Sequence, residues 1–173
     1  LLQNLYSIVH YSSGYLSASS LSRGTGISSQ ALLEAELTMR LLCSKNLALE
    51  EFNDKRLPPY AILSHTWGEG EVSFQDLEDG GAPEKPGYQK ILRCCEEAAR
   101  DGFSYTWVDT CCIDKTSSSE LSEAINSMYR WYQGAGVCYV YLSDVSKVTA
   151  VQASLPEIES ALSRSRWFTR GCK

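Results

Sequence analysis

Three apolar runs in this chain end in residues able to do acid–base or binding chemistry. Tyr60-Ala61-Ile62-Leu63 leads into Ser64-His65-Thr66-Trp67-Gly68. Tyr105-Thr106-Trp107-Val108 leads into Asp109, then Cys111-Cys112-Ile113-Asp114-Lys115. Val137 to Leu142 leads into Ser143-Asp144. Runs of this length and composition read as buried strands. If the three are parallel, His65, Asp109, Asp114 and Asp144 share one sheet edge, and ligands of open parallel sheets sit beyond the carboxyl ends of the strands.

Each candidate has a chemical and a plainer structural reading. His65 at a strand end suits an acid, a base or a ligand donor, and equally a histidine that locks its own loop by hydrogen bonds. A buried carboxylate at Asp109 needs a partner, with Lys115 and Arg170 as candidates, or else it caps the next turn. Cys111 and Cys112 near His65 would suit a thiol nucleophile, but adjacent cysteines at a strand end more often pack. Trp67, Trp107, Trp131 and Trp167 are core or cleft-wall aromatics, of which Trp67 or Trp107 is placed to stack on a ligand ring. Glu120 and Glu123 suit the positive end of a helix dipole. Arg164, Arg166, Arg170 and Lys173 read as a solvated basic face.

These residues need a scaffold. A strand is expected at Met39–Cys43, and Pro58-Pro59 forces an extended entry into the strand at Tyr60. A helix is expected from Pro86 to Asp101, because Tyr88, Ile91, Leu92, Cys95, Ala98 and Ala99 fall on one face. Gly102 suits the position after its end. Ser117 and Glu120 have capping-box spacing ahead of a second helix with Leu121, Ala124, Ile125, Met128 and Tyr132 as its buried stripe. Further helices are expected at Ser29–Leu37 and Leu155–Leu162. Strand, helix, strand, helix, strand with such connections implies parallel pairing and right-handed crossovers. The expected fold is therefore α/β, three-layered, with a short parallel sheet between flanking helices.

The 173 residues suffice for one domain with a real core. A formal charge of −5 argues against a nucleic-acid binder, and no apolar run approaches the length of a membrane span. Seven cysteines without a C-x-x-C, beside only two histidines, give neither a disulfide framework nor zinc-ligand spacing. Reduced, mostly buried thiols in an intracellular chain are the expectation. Neither a P-loop nor a dinucleotide fingerprint is present.

Several ordered blocks together resemble one family. Met39-Arg40-Leu41-Leu42, Tyr60 to Gly68, Glu71 to Leu77, Gly87 to Ile91, Trp107 to Lys115, Glu120 to Tyr129 and Ser165 to Gly171 are similar to the fungal heterokaryon-incompatibility (HET) domain. The resemblance runs from about Met39 to Gly171. It sets an atypical extension at 1–38 apart from a HET-like domain at 39–173, truncated at its C-terminus because Cys172-Lys173 stand where relatives continue into a glutamate-bearing segment. It implies a cytoplasmic domain of non-self recognition and programmed cell death. Its partners would be other HET or nucleotide-binding oligomerisation proteins, with self-association a further expectation and, as an alternative role, an inactive or regulatory fragment that docks on intact HET domains. Through a remote likeness to TIR domains, with a TIR- or flavodoxin-like order of strands, it also implies NAD as a candidate substrate. The ligand edge is then His65, Trp67, Gly68, Asp109, Asp114 and Lys115, with no metal and no catalytic residue assigned.

Overall fold

The computed structural model describes residues 4–9, 38–146 and 154–169. The strands are β1 (Asn4–Val9), β2 (Thr38–Cys43), β3 (Leu49–Asn53), β4 (Tyr60–His65), β5 (Tyr105–Trp107) and β6 (Val137–Ser146). The helices are α1 (Phe74–Glu78), α2 (Tyr88–Arg100), α3 (Ser118–Gly134), α4 (Leu155–Ser163) and α5 (Arg166–Thr169). The expected helix at Ser29–Leu37 lies outside the described residues.

One mixed sheet runs in the order β1-β6-β4-β5-β2-β3. Its centre is the expected parallel unit: β4 pairs parallel with β5 on one side and with β6 on the other. Antiparallel strands extend it at both edges, β1 on β6 and the β2–β3 hairpin on β5. The strand expected at Met39–Cys43 is β2. The sheet is thus wider than the short parallel one expected, since β1 and β3 carry charged or mixed residues that give no clear apolar run.

The pleat of β4 explains the layering, because alternate residues of a strand point to opposite faces. Tyr60, Ile62 and Ser64 face α3 and α5. The Tyr60 hydroxyl donates to the Trp131 carbonyl at 2.5 Å, and Trp167 Nε1 donates to Ser64 Oγ at 3.1 Å. Trp107, paired with Ile62, meets Trp131 edge to face with ring centroids 5.5 Å apart. Ala61, Leu63 and His65 face the other way, towards α2. On that face Tyr139, paired with Leu63, donates to Asp101 at the end of α2, 2.7 Å away. Lys90 of α2 contacts His65 and stands over the Tyr141 ring. A chain that moves from β4 to β5 and then back past β4 to β6 must put its right-handed crossovers on opposite faces, which is how α2 and α3 sandwich the sheet.

Both long helices bury a face rotated from the expected one. In α2 the buried residues are Lys90, Ile91, Cys94, Cys95 and Ala98, while Ala99 is exposed. In α3 they are Ala124, Ser127 and Trp131, and Ile125 is 61% exposed. The cause in α3 is Trp131, whose bulk packs on Trp107 and sets the phase. Ser117 caps α3 as expected, but Glu120 does not complete the box. Its carboxylate accepts from the Asp114 N–H at 2.8 Å and pairs with Arg40 of β2, so from the first turn of α3, where the dipole favours it, it also cross-links the preceding loop to the sheet.

The cysteines fill this core. Cys94, Cys95, Cys111 and Cys112 are buried free thiols. Burial pushes the Cys94 and Cys111 thiols well up and brings Cys95 to about 12. For Cys95 this leaves on the order of a thousandfold less thiolate than an ordinary thiol. These four residues are expected to resist iodoacetamide in the native state and to react together on unfolding in urea, as read by peptide mass mapping. Rapid native alkylation of any of them would contradict the packing described.

Candidate functional site

β4 delivers His65 to the α2 face at the carboxyl edge of the sheet, where it is fully buried. Beyond β5 the chain turns sharply, with the Cys111 and Cys112 N–H groups donating to the Val108 carbonyl. That turn aims Asp109 at His65. His65 Nε2 lies 3.0 Å from Asp109 Oδ1, and Trp67 Nε1 donates to Asp109 Oδ2 at 3.0 Å. Asp109 is thus held by hydrogen bonds from His65 and Trp67, with Lys115 acting on it through its charge; the other candidate, Arg170, lies outside the described residues. Lys115 donates to the Thr110 carbonyl at 3.2 Å and holds its ammonium 4.2 Å from the centre of the Trp67 ring.

On the far side of His65, Lys90 Nζ lies 2.9 Å from Nδ1 and donates to both carboxylate oxygens of Glu71, at 2.6 and 2.7 Å. A lysine ammonium has no acceptor capacity, so Nδ1 is the acceptor and the imidazole proton sits on Nε2, where it donates to Asp109. The result is a continuous chain from Glu71 through Lys90, His65 and Asp109 to Trp67. Three of its members, Lys90, His65 and Asp109, are less than a tenth exposed.

The electrostatics follow from this chain. Burial alone would raise the Asp109 carboxyl, but the hydrogen bonds from His65 and Trp67 and the nearby Lys115 charge outweigh it and hold it below the usual carboxylate range. Burial lowers Lys115. Asp114 also lies low, stabilised by Thr116, which donates through both Oγ1 and N–H at 2.6 and 3.0 Å, and by Gln75 at 2.7 Å.

The expected ligand edge thus divides. His65, Trp67, Gly68, Asp109 and Lys115 come together. Asp114 is turned into the loop before α3 and bonds none of them, and Asp144 on β6 accepts from Ser165 Oγ and the Arg166 N–H. Glu71 and Lys90 are central to the network and were not singled out by sequence reasoning. The available signal was Lys90 itself, a lysine in phase with Ile91, Cys94 and Ala98 on the buried face of α2. Such a lysine needs an anionic partner.

Beside the network, a cleft of about 160 Å³ opens between the ends of β4 and β6, lined by Thr66, Gly68, Glu71, Lys90, Tyr141 and Arg166 among others. The chain leaves β4 towards β5 on one side and returns to β6 on the other, so this cleft marks the point where strand order reverses. That crevice is where open α/β sheets bind ligands. Two glycines hold its wall together. Gly70 has φ +70°, and a Cβ there would stand 2.6 Å from Pro86 Cδ. A Cβ on Gly87 would stand 3.0 Å from the Gly70 carbonyl oxygen. This close approach presses the Glu71 loop onto the start of α2. Among the described residues no cluster of metal-ligating side chains occurs, and no helix is long and apolar enough to cross a membrane.

The site and sheet define a doubly wound α/β domain with a polar cleft at its switch point. The chain belongs to the heterokaryon incompatibility protein (HET) family, whose model matches residues 60–167. A relative from Podospora anserina, vegetative incompatibility protein HET-E-1, is 57% identical over 118 residues, which cover 67% of this chain. The chain spans about 9% of that relative's length. Comparison with solved structures returned no match.

Two substitutions test the network. Asp109→Asn puts an amide donor against a donor from His65 or Trp67, and is expected to cost about 1–3 kcal/mol at neutral pH by urea unfolding. Because the folded carboxyl is depressed, its stabilisation is present above the ordinary carboxylate pKa and is lost as pH falls through the lower folded value. The gap between wild type and Asp109→Asn should therefore narrow on acidification through that window; a gap that stays constant would count against an ionised Asp109. Gly70→Ala, strained in both backbone and space, is expected to destabilise by at least about 1 kcal/mol, with unchanged urea midpoints as the contrary result.

Proposed function

We propose that this chain is a fungal incompatibility signalling domain. It acts in the cytoplasm in non-self recognition and triggers programmed cell death through contacts with other incompatibility proteins or further copies of itself. The observation that carries this reading is the 57% identity over 118 residues to a vegetative incompatibility protein, beside the family match at residues 60–167. The site supports it in one respect. Trp67 is 53% exposed, yet its indole N–H is tied to buried Asp109 and Lys115 lies on its ring. A large aromatic held rigidly at the surface loses little conformational entropy on binding, which suits a recognition surface.

A second reading is favoured by the position of the cleft. A pocket at the switch point of an α/β sheet beside a buried histidine and lysine suits a nucleotide, with NAD as the candidate and hydrolysis as the reaction. In this reading His65, Trp67, Gly68, Asp109 and Lys115 form the ligand edge, while Asp114 shapes the neighbouring loop.

Induced expression of the chain in a fungal host tests both. Under the signalling reading, wild type arrests growth, Trp67→Ala expressed at equal level loses the effect, and cellular NAD stays constant until viability falls. A fall in NAD that precedes death, reproduced by purified protein, selects the hydrolase reading. Unaffected growth with folded protein present would overturn the view that this chain alone is sufficient to trigger death.

A further inference from the structure

Glu71 is seated in the switch-point cleft as a bound carboxylate. Its Oε1 accepts from the Gly68 N–H at 2.7 Å and from Lys90 Nζ at 2.6 Å, and its Oε2 accepts from Lys90 at 2.7 Å. Gly87 leaves just enough room, since a Cβ there would come within 3.1 Å of Oε2. A glycine-loop amide and a buried ammonium are the donors with which proteins hold oxyanions from solution. Here the oxyanion comes from the chain itself.

The surroundings differ for the two partners. Lys90 is fixed, with its stem buried on α2 and its ammonium also facing His65 Nδ1. Glu71 is more exposed, with 16% side-chain accessibility, and it sits on the loop ahead of α1. The adjoining cleft has room for several water-sized groups, enough for a carboxylate or phosphate. Arg166 lines the opposite wall, with its guanidinium 3.3 Å from Ser143 Oγ. Glu69 also lines the cleft and opposes an incoming anion, and Arg166 offsets it.

We propose that this cleft is an oxyanion site that Glu71 occupies from within, and that a ligand carboxylate or phosphate takes Lys90 and the Gly68 N–H by displacing Glu71. One anion replaces another on a lysine that is never left unpaired, so the exchange avoids the large cost of a bare buried charge. The displaced carboxylate moves into solvent. The site follows from this local geometry, independent of whether the domain signals by contact or by turnover.

Removing the internal occupant exposes the site to test. The melting temperature of Glu71→Ala is followed against sodium acetate and sodium phosphate, with ionic strength held constant by sodium chloride. The variant is expected to melt below wild type and to be restored saturably by acetate, phosphate or both. Its apparent affinity should be at least about tenfold tighter than that of wild type. Addition of Lys90→Met should abolish the response. Restoration by acetate alone assigns carboxylate ligands, by phosphate alone phosphorylated ones, and by both a site that reads charge. No response beyond chloride, or equal responses in wild type and variant, overturns the proposal. Should Glu71→Ala fail to fold, Glu71→Gln keeps the volume while losing the charge, and enters the same titration under the same criteria.

Discussion

The constraint on which the rest depends is the burial of Lys90. A lysine on the inner face of α2 must lose its hydration, a cost of several kcal/mol unless it is paired. Glu71 supplies the charge and His65 the second acceptor. Each partner then fixes something else. Glu71 takes the Gly68 N–H and so ties down the loop after β4. His65, forced to accept at Nδ1, presents its proton to Asp109, and Asp109 in turn holds Trp67. One buried ammonium therefore orders the edge of the sheet from the cleft to the exposed indole.

The topology makes this arrangement possible. Alternation along β4 sends His65 to the α2 face and Ser64 to the opposite face, where Trp167 meets it. The reversal of strand order about β4 opens the cleft on that same edge. A helix-facing histidine and a polar cleft thus arise from the same two features, the pleat and the crossover handedness.

Much of this was legible in the sequence, and the failures have identifiable causes. The apolar runs at Tyr60, Tyr105 and Val137 marked the parallel centre, since strands buried on both faces read as continuous apolar stretches. The edge strand β3, Leu-Glu-Glu-Phe-Asn, has no such run, because an edge strand is half solvated. His65, Trp67 and Asp109 were visible as polar residues closing apolar strands. Their mutual pairing was not, because it depends on the turn at Val108–Cys112, whose shape arises from backbone hydrogen bonds that composition does not encode. Asp114 was grouped with them by proximity in sequence, yet the same turn carries it away. In α3, periodicity favoured Ile125, but the contact between Trp131 and Trp107 decided which face went inward.

What the polar network contributes is position more than stability. A buried ion pair typically gains little over a well-packed apolar substitute of similar size, although losing one partner is costly. Replacing the whole Glu71–Lys90–His65–Asp109 chain by aliphatic residues would leave a stable sheet but no means of orienting the Trp67 indole or the Gly68 amide. Hydrogen bonds have direction and apolar contacts do not. A surface tryptophan fixed by apolar contacts alone would sample several rotamers, whereas one anchored through Nε1 to an ionised, buried carboxylate has a single favoured orientation. That directional restraint is the physical property that keeps a small exposed surface in one geometry.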